Sequence, residues 1–143
     1  MWQRVQTLYL AVATILVVSL FWSDVAKIAA PDGLVENIRY VDRTIYLVWL
    51  IILTVIQVLA LGGFKWRMKQ FRVVVVAVVM CLGFQGWLVY DFFQQRESLS
   101  FSWTALFPVV ASVLDVMAAK NILLDEAIVQ SANRLRLPRN KKK

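Results

Sequence analysis

The sequence predicts an all-α protein, a four-helix transmembrane bundle with both termini cytoplasmic and a last helix that extends into the cytoplasm. Three observations predict it. Four apolar runs, at residues 5–22, 45–63, 73–93 and 103–124, each match the roughly 20 helical residues needed to cross a hydrocarbon core about 30 Å thick. The run from Thr44 to Leu61 carries no polar stripe of the kind a water-soluble bundle needs on its outer face. Lys and Arg collect in two segments that a four-span chain places on one side of the membrane.

Composition narrows the class. The chain is 60% hydrophobic and 17% charged, which is not the balance of a soluble domain. Lipid-facing backbone amides must be satisfied within the segment, so runs of this length are helices. Histidine is absent and Cys81 is the single cysteine, which excludes an internal disulfide and the common His/Cys zinc site. Cys81 reads as a small apolar packing residue.

The first run follows Met1-Trp2-Gln3-Arg4 like a secretory leader, but no A-x-A-like cleavage pattern follows, so it is expected to remain as a helix. Segment 23–43 sets Lys27, Arg39 and Arg43 against Asp24, Asp32, Glu36 and Asp42. Within it, Pro31-Asp32-Gly33 is a turn signal between two loosely alternating flanks, which suggests a short β-hairpin but not an independent domain. Gly62 and Gly63 are expected to end the second helix. Segment 64–72 then holds Lys65, Arg67, Lys69 and Arg72 with no acid, and is read as a nine-residue basic loop meeting anionic lipid headgroups rather than nucleic acid.

In the third run, Gly83 and Gly86 are expected to permit close helix approach, and Asp91 to sit in water near the outer end. Segment 94–102 holds only Arg96 and Glu97 among its charges. The fourth run has Pro108 in its first turn, where a missing amide hydrogen does little harm. Leu124, Ile128, Ala132 and Leu135 prolong one apolar face past the membrane until Pro138. That stripe is expected to pack on the inner loop or the lipid surface, or to dock a partner. Residues 137–143 form a basic tail.

With the basic clusters held inside, the first and third connections lie outside and the second inside. Trp2, Trp22, Tyr46, Trp49, Trp66 and Trp103 sit near the run ends, where amphipathic rings prefer the headgroup layer. Asp115 is the one acid deep in a span. At 1.5 Å per residue it lies roughly 17 Å below Thr104, close to the depth Thr14 and Gln57 reach, with Gln85 about a turn higher. The expected polar layer is Thr14, Gln57 and Asp115, with Gln85 nearby. Its leading reading is interhelical hydrogen bonding, which a protonated Asp makes comfortably; its alternative is a proton or cation site. Lys120 and Asn121 fall near the inner interface, where Lys can snorkel.

The opening M-W-Q-R-V-Q-T-L-Y-L, then Ala105-Leu106-Phe107-Pro108, Asp125-Glu126 and V-Q-S-A-N-R-L-R from Val129 resemble a family of small bacterial four-helix inner-membrane proteins of unknown function. That family starts M-I-Q-R-I-Q-T-x-Y-L and ends K-D-E-x-L-V-R-S-x-D-R-L-R. Leu124, Gln130 and Asn133 stand where it has Lys, Arg and Asp, and Asp115 where it commonly has Asn, which speaks for hydrogen bonding at that position. The resemblance implies four helices and inner-membrane residence, and supplies no activity.

The matching ends put Gln3, Arg4, Asp125, Glu126, Arg134 and Arg136 on one cytoplasmic patch, with Arg4 expected to pair with Asp125 or Glu126. The function expected is a non-catalytic accessory or scaffold subunit of a membrane assembly; the alternative is a small oligomeric transporter using Asp115. No enzyme site is expected, because Asp91, Glu97 and Asp115 do not converge. No cofactor or nucleic acid is expected. The partners expected are anionic lipid and a membrane protein or second copy of the chain.

Overall fold

The computed structural model describes residues 3–29, 35–63, 67–94 and 99–136. Four long helices dominate: α1 (Gln3–Ser19), α2 (Thr44–Gly62), α3 (Arg67–Gln94) and α4 (Phe107–Arg136). All four are long and apolar enough to cross a membrane. α1 and α3 both pack on α4 and on α2, so neighbours in sequence are neighbours in space and α4 closes the ring onto α1.

The burial pattern is the reverse of a soluble bundle. Between 28% and 33% of the residues in each span are buried. The outward faces carry Leu8, Ile15, Val55, Leu59, Val79 and Val113, all more than half exposed. Apolar side chains in such numbers, on every side, would not be stable against water. Lipid is the medium that suits them.

At one end the bundle is capped by a small sheet. Strands β1 (Asp24–Ala29) and β2 (Val35–Arg39) pair antiparallel as the expected hairpin, with Ala26 opposite Ile38 and Ile28 opposite Glu36. The turn residues 30–34 lie outside the described residues. A third strand, β3 (Leu99–Phe101), pairs antiparallel with β1 and gives the order β2-β1-β3. The third connection is therefore structured rather than a plain loop. Its signal was present: Leu99, Phe101 and Trp103 alternate with Ser100 and Ser102.

The sheet is tied to the helices rather than floating over them. Ser102 N–H donates to Val25 O at 2.9 Å, and Thr104 Oγ1 to Asp24 O at 2.6 Å. Val25, Ala26 and Tyr40 are buried with Leu20, Tyr46, Phe84 and Leu88 in one core cluster. The rings of Tyr40, Tyr46 and Phe84 lie 6.0–6.2 Å apart, pairwise, and Trp49 stacks 5.9 Å from Phe84. Such aromatic pairs contribute about 0.5–1.5 kcal/mol each beyond their burial.

At the other end, α3 starts at Arg67, six residues ahead of the expected 73, so most of the supposed nine-residue loop is helix. The reason is Gln70. It is buried, and its Nε2 donates to Ala60 O at 3.0 Å, which satisfies an orphan carbonyl at the end of α2. α2 ends at Gly62 as expected. A Cβ at Gly63 would stand 3.3 Å from Gln70 Cβ, so the glycine is there for close approach.

Gly83 likewise makes room for the Trp49 ring, 3.3 Å from where its Cβ would be; Gly86 faces open space and allows no close approach, against expectation. α4 is one continuous helix with Pro108 at its second position, after a 3-10 turn at Trp103–Leu106.

Candidate functional site: the buried polar pair

Gln57 and Asp115 are both fully buried, and Gln57 Nε2 donates to Asp115 Oδ2 at 2.6 Å. The bond runs from α2 to α4 across the diagonal of the bundle. The depth estimate from sequence therefore brings the right two residues together. Cys81 of α3, also fully buried, lies close enough to sense both side chains. Its expected packing role holds, since it belongs to the core cluster with Phe84 and Leu88. The signal that finds it is spacing: Cys81, Phe84 and Leu88 form the inward face of α3 at helical intervals.

Thr14 and Gln85 do not complete the layer. Thr14 Oγ1 donates to Leu10 O at 2.7 Å, within its own helix. Thr54, Ser19 and Ser112 do the same, with Leu50 O, Leu16 O and Val109 O at 2.7 Å. A short hydroxyl reaches its own preceding carbonyl more readily than a neighbouring helix. Gln85 is half-buried and its Oε1 has no hydrogen-bond partner. Asp115 Oδ1 and Gln57 Oε1 are likewise buried and unpartnered.

Two further polar groups tie helices together. Near the sheet, Asp91 is not simply solvated: it accepts from Tyr46 Oη and forms an ion pair with Arg43 at 3.3 Å. Arg43 and Tyr46 begin α2, so the acid on α3 draws the two helices together. At the basic end, Gln6 Nε2 donates to Asp125 Oδ2 at 2.5 Å and joins α1 to α4. The pairing expected of Arg4 falls on a side chain outside the described residues; the link between α1 and α4 that is described is made by Gln6.

Glu126 Oε1 accepts from Gln130 Nε2 at 3.2 Å along α4. Gln3 and Arg4 begin α1, and Arg134 and Arg136 end α4, but their side chains lie outside the described residues, as do Glu97, Pro138 and the basic tail. Leu124 and Ile128 are 47% and 60% exposed, and Ala132 is exposed too, so the apolar stripe of α4 is open to its surroundings from Leu124 to Ala132.

Chemically, the pair is a hydrogen-bonded joint. Its carboxyl and amide supply one hydrogen bond between two helices, with the Cys81 thiol, a second weak acid, beside them. Among the described residues no cluster of three or more His, Cys, Asp or Glu could hold a metal ion.

Fold and site together define a class: a small multi-pass helical bundle of membrane-spanning length, held by a few buried amide contacts. Within that class, the chain belongs to the family described as a domain of unknown function, DUF4293, whose model matches residues 2–135. No curated protein and no solved structure matches it.

Proposed function

We propose that the protein is a non-catalytic subunit of a bacterial inner membrane, an accessory or scaffold component of a larger membrane assembly. Both termini and the basic connection after α2 lie in the cytoplasm, and the three-stranded sheet lies outside. The orientation rests on Lys65, Arg67, Lys69, Arg72 and the basic tail, which resist translocation. One observation carries the scaffold reading. α4 continues unbroken to Arg136, and Leu124, Ile128 and Ala132 stay exposed along its last turns. An exposed apolar stripe along the end of a helix is the form that helix-in-groove recognition takes.

The test is a photo-crosslinking residue in place of Ile128, activated in native membranes, with extraction in mild detergents. A discrete protein adduct, in a complex larger than the monomer, is expected, and Leu124→Glu should remove it. Lipid adducts alone, with a monodisperse monomer in several detergents, would defeat the reading.

A second reading, a small transporter using Asp115, is favoured by the unpartnered Asp115 Oδ1 and Gln57 Oε1. It requires pH-dependent flux in proteoliposomes that Asp115→Asn abolishes. The single acid and the unbroken spans weigh against it, since coupled transporters use interrupted helices or several such groups.

A further inference from the structure

We propose that the groove between α3 and α4 is a binding site for an anionic phospholipid, with an acyl chain along the groove and the phosphate held by Lys120 and Arg72. The groove encloses about 370 Å³ and is walled by Phe71, Val75 and Val79 from α3 and by Val116 and Leu123 from α4, with Lys120 as its one polar residue. A wholly apolar slot on the lipid-facing side takes a hydrocarbon chain.

Its charge decides which lipid. Lys120 is exposed and lies one turn short of Leu124, where its stem can follow the apolar wall and carry the ammonium to the headgroup layer. Arg72, also exposed, stands three residues before Val75, on the same side of α3 at the same end of the groove. Among the described residues neither cation is held in an ion pair, and Asp125 and Glu126 take their hydrogen bonds from Gln6 of α1 and Gln130. Two cations at the mouth of an apolar groove between spanning helices match an anionic headgroup with its chain. This rests on membrane residence alone and is independent of the scaffold reading.

The full-length protein, delipidated in mild detergent, is titrated with equimolar phosphatidylglycerol and phosphatidylcholine of identical chains, and native mass spectrometry reads the first lipid bound. Phosphatidylglycerol should be preferred by about thirty-fold, falling about five-fold for each of Lys120→Gln and Arg72→Gln. Lys27→Gln, on the sheet, should leave the preference intact. Val79→Trp fills the groove at an exposed position and should abolish retention of the first lipid without touching charge. Equal binding of both lipids by the parent protein overturns the proposal. So does a preference that survives the double Gln variant, or a dimer that Val79→Trp dissolves with no lipid bound.

Discussion

Removing either member of the Gln57–Asp115 pair should cost more than the bond itself is worth, and removing both should cost little. Interhelical hydrogen bonds in membranes average about 0.6 kcal/mol and reach about 1.7. A buried polar group left without its partner costs about 1–3 kcal/mol. Asp115→Leu strands the Nε2 donor of the Gln57 amide in a fully buried site, and Gln57→Leu strands the carboxyl. Each single variant should therefore lose about 2–3 kcal/mol. The double Leu variant removes both stranded groups and should lose about 1–2, so the two singles together should exceed it by a coupling energy of about 2–5 kcal/mol, more than the bond alone would give. The extra bulk of leucine at position 115 enters the single and double variants alike and cancels in the cycle. Asp115→Asn keeps an acceptor at Oδ1 and should stay within about 0.5 kcal/mol of the parent. Unfolding by SDS in mixed micelles, followed by tryptophan fluorescence, reads all four. Singles that add to the double within about 0.3 kcal/mol would refute the joint. If Asn proved as damaging as Leu, the acid itself would matter, and the transport reading would displace the structural one.

Four shorter predictions follow from the same geometry. Asp91→Leu should loosen the start of α2 from α3 by about 1–3 kcal/mol and Tyr46→Phe by about 0.5–1.5, seen as faster hydrogen exchange near Arg43. Gly86→Ala, in open space, should stabilise α3 by about 0.5–1 kcal/mol, while Gly83→Ala should gain less because Trp49 must yield; thermal shift in detergent checks both. Burial pushes the Tyr40 hydroxyl up to about 12, with Thr104 opposing weakly. Its folded value is raised, so the stability it lends is complete below about pH 10 and is lost as pH climbs through 12, a limb of roughly 2–3 kcal/mol absent in Tyr40→Phe. In a Cys81→Ala background, Asn37→Cys should label from outside intact cells and Met68→Cys only after permeabilisation; the reverse pattern would invert the orientation.

The spans were legible because they are set by run length, a property of composition along the chain that packing does not alter. The Gln57–Asp115 contact was legible for a related reason: the membrane fixes depth, and depth is counted from the interface. Rotation about the helix axis is not fixed that way. Thr14 reached the right level, but its hydroxyl was satisfied by Leu10 within its own helix. Arg67 to Arg72 looked like a loop because charge suggested water, whereas Gln70 buries there and starts α3 early. The alternation at Leu99, Phe101 and Trp103 is too short to mark a strand by itself, since three residues form one only when a partner strand, β1, already stands beside them.

What orders this bundle is a division of labour among its polar side chains. Between lipid-immersed helices there is little hydrophobic drive to association, so packing and hydrogen bonds must select which faces meet. The hydroxyls of Thr14, Ser19, Thr54 and Ser112 are spent within their own helices and select nothing. The longer amides reach across: Gln6 joins α1 to α4, Gln57 joins α2 to α4, and Gln70 joins α2 to α3. Each uses Nε2 as donor to an oxygen on another helix, and together they pin α1, α2 and α3 directly or through α2 to α4. Replacing all three by Leu should therefore leave four inserted spans, since insertion depends on hydropathy, while mutual arrangement becomes plural. Disulfide trapping between facing positions would distinguish the cases: one dominant cross-link in the parent, several weaker ones in the triple variant. A single unchanged cross-link would place the specificity in apolar packing, with Ala13, Ala60, Ala77 and Ala118 the residues that set how closely the helices approach.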